Sequence, residues 1–308
     1  RSSHGSESGS SVRVDAMDRC PLPSGQSRSQ SAHSILSDDA LGRVVAMAYD
    51  IPEPVRCRLW QFGCNDSYVV SGKGSRYILR VYSSGRRTES AVRYEVDLLE
   101  HLRTRRVPVS GPVRARDGSF IQWVAASEGA RPMVLFSHSE GAPASWSDER
   151  HYLMAGRLAA AIHRAADDFE SAHRRPVMDA AFLIDMPVAA LRPLMSQRSG
   201  DWRYVEAEIG RLRGLLNATG SDLDWGVCHG DFNFKNLHVA SMGLVVFDFD
   251  QCGLGWRVWD FAEIWWAGVQ LRPALWSAFL AGYREVRPLT EVDLAALPLF
   301  HQLVQYRL

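Results

Sequence analysis

Residues 228–236 read CHGDFNFKN and run on into LHVASMGLVVFDFD at 237–250. Polar residues stand among four phenylalanines, Phe232, Phe234, Phe247 and Phe249. The rings read as core, pinning a loop whose polar side chains face a cleft. Past the loop, β-branched residues flank Met242-Gly243, which predicts a hairpin turning there. Asn236 opens its first strand and Asp248 lies on its second, so the two side chains are expected side by side at one end.

Around this hairpin the pattern is helical. SDERHYLMAGRLAAAIHRAADDF (147–169) predicts a long amphipathic helix capped by Ser147. Further helices are predicted over 187–197, 201–216, 257–284 and 291–307. Before Gly141, strands dominate. RLWQFG (58–63), DSYVVSG (66–72) and SRYILRVYS (75–83) read as an antiparallel meander with tight turns near Asn65 and Gly74. RTESAVRYEVDLLEHLRTRRV (87–107) places Ala91, Tyr94, Leu98 and Leu102 on one helical face. Strands are predicted again in VSGPVRARDGSFIQWVA (109–125), hinged at Asp117-Gly118, and in RPMVLFSHSEG (131–141). A helix capped at Ser37 opens the folded part. Residues 1–37, rich in serine and glycine, are expected to form a disordered leader. Strands followed by helices give an α+β chain in two lobes, 38–140 and 141–308.

Composition narrows the function. With 308 residues, 46% of them hydrophobic, the chain can bury a sizeable core. Its 35 basic and 35 acidic residues cancel without a polybasic run, which offers nothing to nucleic acid or to an anionic membrane surface. A small polar ligand fits better. Five cysteines without a CxxC pair suit a reducing compartment, with the cytoplasm as the expected location. Cys228, His229, His238 and Cys252 lack any zinc-ligand spacing.

His229, Asp231 and Asn236 stand in the H-x-D-x-x-x-x-N spacing of a phosphoryl-transfer catalytic loop. That chemistry needs a carboxylate to orient the attacking hydroxyl, metal ligands that bridge the phosphates, and a cation on the nonreacting phosphates. Mg²⁺ takes oxygen ligands and keeps waters, so one carboxylate and one amide carbonyl suffice from the protein.

The order of these residues, with VVFDFDQCGLGWRVWDFAEI (245–264) downstream, resembles the aminoglycoside phosphotransferase family of small-molecule kinases, which includes homoserine and choline kinases. The resemblance covers about residues 40–300 in outline, with its specific part at 228–263. It implies a bilobal protein-kinase-like fold, with an N-terminal antiparallel sheet lobe and a mainly helical C-terminal lobe. It also implies an ATP- and Mg²⁺-dependent phosphotransferase, GTP being the alternative donor. Asp231 would be the base or hydroxyl-orienting group, Asn236 and Asp248 metal ligands, Asp250 a neighbour of the metal, and His229 and Asp260 braces of the loop. In the sheet lobe Arg80 stands where the family presents lysine, with Glu95 as its ion-pair partner. Asn65 and Ser67 would donate to phosphate in place of a glycine-rich loop, with Lys73 as a weaker substitute. Backbone groups near Ser137 and Ser139 would hold adenine, and Lys235 departs from the small residue usual before the loop asparagine. Of the ten tryptophans most read as packing residues, one or two as walls of an acceptor pocket. Glu263 and Asp224 could hold an amine on the acceptor. Two other readings remain at this point: a bacterial-type protein Ser/Thr kinase, and a nucleotide-binding pseudokinase that serves as an interaction module.

Overall fold

The computed structural model describes residues 33–305, with the backbone alone for 266–271. Most of the expected leader therefore lies outside the described residues. Its end, however, is built into the fold: Arg131, fully buried, donates to Ser34 O (2.8 Å) and to Asp66 Oδ2 (2.7 Å), and Tyr68 donates to Leu36 O (3.0 Å). A buried guanidinium needs every donor matched. Ser34 supplies part of that match.

The first helix, α1 (Asp38–Ala48), starts where Ser37 accepts from Ala40 N (3.2 Å). The meander follows as β1 (Arg56–Gln61), β2 (Asn65–Gly72) and β3 (Ser75–Tyr82), then α2 (Glu89–Thr104), capped by Thr88, then β4 (Ile121–Ala126) and β5 (Gly129–Ser137). These strands form one antiparallel sheet in the order β1-β2-β3-β5-β4. One face of the sheet packs with α1 through Leu41, Val45, Tyr68, Leu79 and Leu135. The strand expected at 109–117 reduces to isolated bridges and the bond Val113 N to Leu135 O (2.7 Å). Pro112 has no N–H to give, which prevents a continuous ladder there.

The helical lobe contains β6 (Ala142–Pro143), α3 (Glu149–Ala165), α4 (Met186–Leu194), α5 (Ser199–Thr219), β7 (Trp225–Cys228), β8 (Leu237–Ala240), β9 (Gly243–Val246), β10 (Gly253–Trp256), α6 (Trp259–Leu271), α7 (Pro273–Val286) and α8 (Glu291–Gln305). Its N-terminal cap is Asp148, whose carboxylate accepts from Arg150 N (3.0 Å) at the start of α3, rather than Ser147, which bonds Ser145. The single helix expected over 257–284 is two, because Pro273 cannot continue the ladder and starts α7 instead. α3 and α7 cross closely: a Cβ at Gly156 would meet Phe279 O at 2.0 Å and one at Gly282 would meet Leu153 O at 2.0 Å. By contrast α4 buries no side chain and α5 only Leu212 and Leu216. Among the described residues no helix is long and apolar enough to cross a membrane.

The hairpin β8–β9 pairs Leu237 with Val246 and Ala240 with Gly243, so it turns at Ser241-Met242, one residue before the Met242-Gly243 expected. It sits under the sheet lobe, with Val246 N donating to Pro108 O (3.1 Å) and Ser110 N to Val246 O (3.0 Å). The antiparallel pair β7–β10 closes the loop from below.

Candidate active site

The loop between β7 and β8 is held by one carboxylate. Asp260, at the start of α6, accepts from His229 N (2.7 Å), Gly230 N (2.8 Å) and His163 Nε2 (3.0 Å). Gly230 is at φ +82°, and a Cβ there would meet Gln251 O at 2.2 Å, so this position needs glycine twice over. Asp231 N donates to His229 Nδ1 (3.2 Å), which fixes the proton of the neutral ring on Nε2, where it is donated to Phe247 O (3.1 Å). His229, grouped with the catalytic residues on its spacing, is thus fully buried and spends both ring nitrogens on backbone. It positions the loop. Phe232, Phe234 and Phe249 are buried, as expected; Phe247 is half-buried against His238.

Burial lowers the pKa of the His163 ring, outweighing its hydrogen bond to Asp260. Burial raises the Asp260 carboxyl, but the His163 hydrogen bond and charge more than offset it, and the net direction is down. Both shifts have the same sign for linkage. As pH falls through the ordinary histidine value of 6.5 and then the aspartate value of 3.8, the unfolded chain binds protons that the folded chain refuses. Stability from this pair is complete above about pH 6.5 and is lost on acidification. Melting temperatures between pH 8 and 4 should fall with pH, and the part lost from pH 6.5 to 5 should shrink in His163→Gln. An unchanged profile in that variant would contradict the assignment.

Asn236 donates through Nδ2 to Asp231 O (2.9 Å) and Oδ2 (3.0 Å), and Asn233 Nδ2 adds a bond to Asp231 O (3.2 Å). With its NH₂ turned to Asp231, Asn236 has its carbonyl oxygen for a cation. Phe247 N donates to Asn236 O (3.1 Å), so Asp248 follows directly on the residue paired with Asn236. Asp248 was expected on the second strand. It lies two residues past β9, in the left-handed region at φ 66° and ψ 62°, and its carboxylate is 41% exposed.

From the sheet, Arg80 reaches the same point. Its Nη1 donates to Glu95 Oε1 (2.9 Å) and its Nη2 to Asp248 Oδ1 (2.7 Å), while Tyr82 donates to Glu95 Oε2 (3.0 Å). Burial alone would lower the Arg80 pKa; Asp248 and Glu95 reverse this and drive it well above its ordinary value. Burial raises the Glu95 carboxyl, with Arg80 opposing. The pairing Ser67–Arg80 and Asn65–Tyr82 puts both β2 residues on the face that carries Arg80. Asn65 Oδ1 accepts from Ser83 N (3.2 Å). Lys73 sits in the β2–β3 turn, five pairs and so about 17 Å from Arg80, and is not part of this group.

Other expected residues have structural duties. Ser137 N donates to Gly111 O (2.8 Å), its carbonyl accepts from Ser110 Oγ and its hydroxyl from Gly111 N (3.1 Å). Ser139 O accepts from His238 Nδ1 (3.0 Å). Asp250 gives Oδ1 to Arg87 Nε (3.1 Å) and Oδ2 to Arg87 Nη2 (3.2 Å), so an arginine occupies the carboxylate expected beside the metal. Lys235 is exposed. Asp224 is paired with Arg257 (3.1 Å) and Arg287 (3.1 Å), which removes it as a holder of an acceptor amine; Glu263 is half-buried on α6. Burial raises the Cys228 thiol and pushes Cys252 up to about 12. Trp146 packs on Phe234, Trp256 on Trp225 and Trp276 on Phe279, and Trp259 Nε1 donates to Gly230 O (3.1 Å). An open cavity of about 680 Å³ between α4 and α5 is lined by Asp185, Arg192, Ser196 and Trp202. Sequence reading missed Arg87, Arg175, Asn233 and His163; the arginine contacts span 75 or more positions and have no local signal.

Three comparisons bear on this site. The sequence profile of the phosphotransferase enzyme family matches residues 64–289. An uncharacterised protein of Deinococcus radiodurans is 37% identical over 276 residues, 87% of this chain and 80% of that protein, and a homoserine kinase of Neisseria meningitidis serogroup B is 28% identical over 87% of this chain and 86% of its own. Among solved structures, the amicoumacin kinase hAmiN, in complex with AMP-PNP and Ca²⁺, superposes with a TM-score of 0.71 at 19% identity, covering 88% of this chain and 84% of that one.

Proposed function

The chain belongs to the phosphotransferase enzyme family, and we propose that it transfers the γ-phosphoryl group of ATP or GTP, with Mg²⁺, to a hydroxyl group of a small molecule. The observation that carries this reading is the convergence of Asp231, Asn236, Asp248 and Arg80 at one end of the β8–β9 hairpin.

The donor set suits Mg²⁺: the partly exposed carboxylate of Asp248 and the amide oxygen of Asn236 are hard oxygen donors and would hold the ion. Bound there, Mg²⁺ supplies charge neutralisation on the phosphates. The remaining work falls to the chain itself. Asn236 and Asn233 aim the Asp231 carboxylate at the acceptor hydroxyl, which gives up its proton to Asp231 as its oxygen bonds the γ-phosphorus. The bond from that phosphorus to the bridging oxygen breaks, and the nucleoside diphosphate leaves with the electron pair. Arg80, steadied by Glu95, exchanges Asp248 for phosphate oxygens when the donor binds, and its planar fork suits a bidentate contact. Catalysis is mainly positioning and charge stabilisation.

The homoserine kinase relative favours a hydroxyl on an amino acid or amino alcohol as acceptor, with antibiotics as the wider class. The test is Mg²⁺-dependent release of ADP or GDP against a panel of amino alcohols, hydroxy amino acids and aminoglycosides. Acceptor-stimulated release that Asp231→Ala abolishes supports the reading. Release indifferent to that substitution, or to every acceptor, counts against it.

A further inference from the structure

We propose that Arg87, in the connection between β3 and α2, is a positioning residue that clamps the turn carrying Asp248 and thereby sets the affinity for the metal-bound nucleotide. The inference rests on the functional reading above. Its ground is the backbone of Asp248, held at φ 66° and ψ 62° although it is not glycine. Such a conformation persists only where its surroundings overdetermine it.

On the N-terminal side, Phe247 N is bonded to Asn236 O and Phe247 O to His229 Nε2. On the C-terminal side the single-turn helix Phe249–Gln251 is gripped by side chains from elsewhere. Arg87 donates through Nε and Nη2 to the two carboxylate oxygens of Asp250 and through Nη2 to Asp250 O (2.8 Å). Arg175 donates to the same Asp250 O and to Cys252 Sγ (3.2 Å), and stands 3.9 Å from Glu95. Arg87 lies on the stretch that joins the strand of Arg80 to the helix of Glu95. One continuous piece of the sheet lobe thus supplies the phosphate cation, its acid partner and the brace of the metal-binding turn. Asp250 serves Arg87 rather than the metal.

Residues behind a metal ligand typically set metal affinity by about 10–100-fold. Calorimetric titration of AMP-PNP into the full chain at stepped Mg²⁺ concentrations should show the half-saturating Mg²⁺ concentration rising by about that factor in Arg87→Ala, with Arg87→Lys intermediate because it keeps the charge and loses the fork. Metal-free nucleotide binding should change by less than about twofold, and hydrogen exchange of amides 247–252 in the free protein should accelerate while α3 stays protected. A Mg²⁺ response and protection like those of the parent chain overturn the proposal, as does an equal loss of binding with and without metal. Should Arg87→Ala not fold, Arg87→Lys and Asp250→Asn carry the same test. A parent chain that binds nucleotide without any Mg²⁺ dependence overturns the functional reading, and the clamp with it.

Discussion

Asp231→Asn is expected to lower kcat by about 10²–10⁴-fold, the range that a positioned general base contributes, with nucleotide affinity changed little. Asparagine keeps the size of the side chain and an acceptor oxygen. The bonds that Asn233 and Asn236 make to the backbone oxygen of residue 231 do not involve the carboxylate and survive. On the proposed mechanism, only the group that takes the hydroxyl proton is lost. A coupled assay of diphosphate release gives kcat, and calorimetry gives the dissociation constant for ADP. If affinity falls with turnover, or kcat stays within tenfold of the parent enzyme, Asp231 is not the base.

Asp260→Ala should be the most damaging single change to stability. It withdraws the acceptor from His229 N, Gly230 N and His163 Nε2, in a position only 2% exposed. Each buried donor left without a partner costs about 1–3 kcal/mol, and loss of one member of a buried charged network about 3–5 kcal/mol in total. Against a typical folding free energy of about 5–15 kcal/mol this is a large share. Urea denaturation should show the midpoint falling with its slope retained, and Asp260→Asn should lose less because one acceptor oxygen remains. A loss below about 1 kcal/mol would mean that the loop holds its shape without this carboxylate.

What could be read from the sequence follows the range of the interactions involved. The meander, α2 and the hairpin rest on local periodicity and turn residues, and they stand where the pattern puts them. The proximity of Asp231, Asn236 and Asp248 was legible because a short loop and one hairpin bring them together. Arg80 and Glu95 were legible because a strand and the next helix bring them together. The failures have physical causes of another kind. Ser147 and Asp148 both cap helices well, and a difference of one position between two good caps leaves no signal in the residue types. Pro112 weakens a strand whose side-chain pattern is sound. The pair of Asp224 with Arg257 and Arg287 and the grip of Arg87 on Asp250 join distant parts of the chain, so no window of sequence contains them.

The glycine contacts between α3 and α7 set a limit on how such a protein can diversify. Neither Gly156 nor Gly282 can acquire a side chain without moving the opposite backbone, so the two positions are tied to each other and to the spacing of the helices. α7 also carries Tyr283, which bonds His163 (3.0 Å) and so reaches Asp260 and the catalytic loop. Drift in this block is therefore costly to chemistry and folding at once. α4 and α5, with two buried side chains between them, carry almost none of that burden. Substitutions from Met186 to Thr219 should therefore disturb the packed block least.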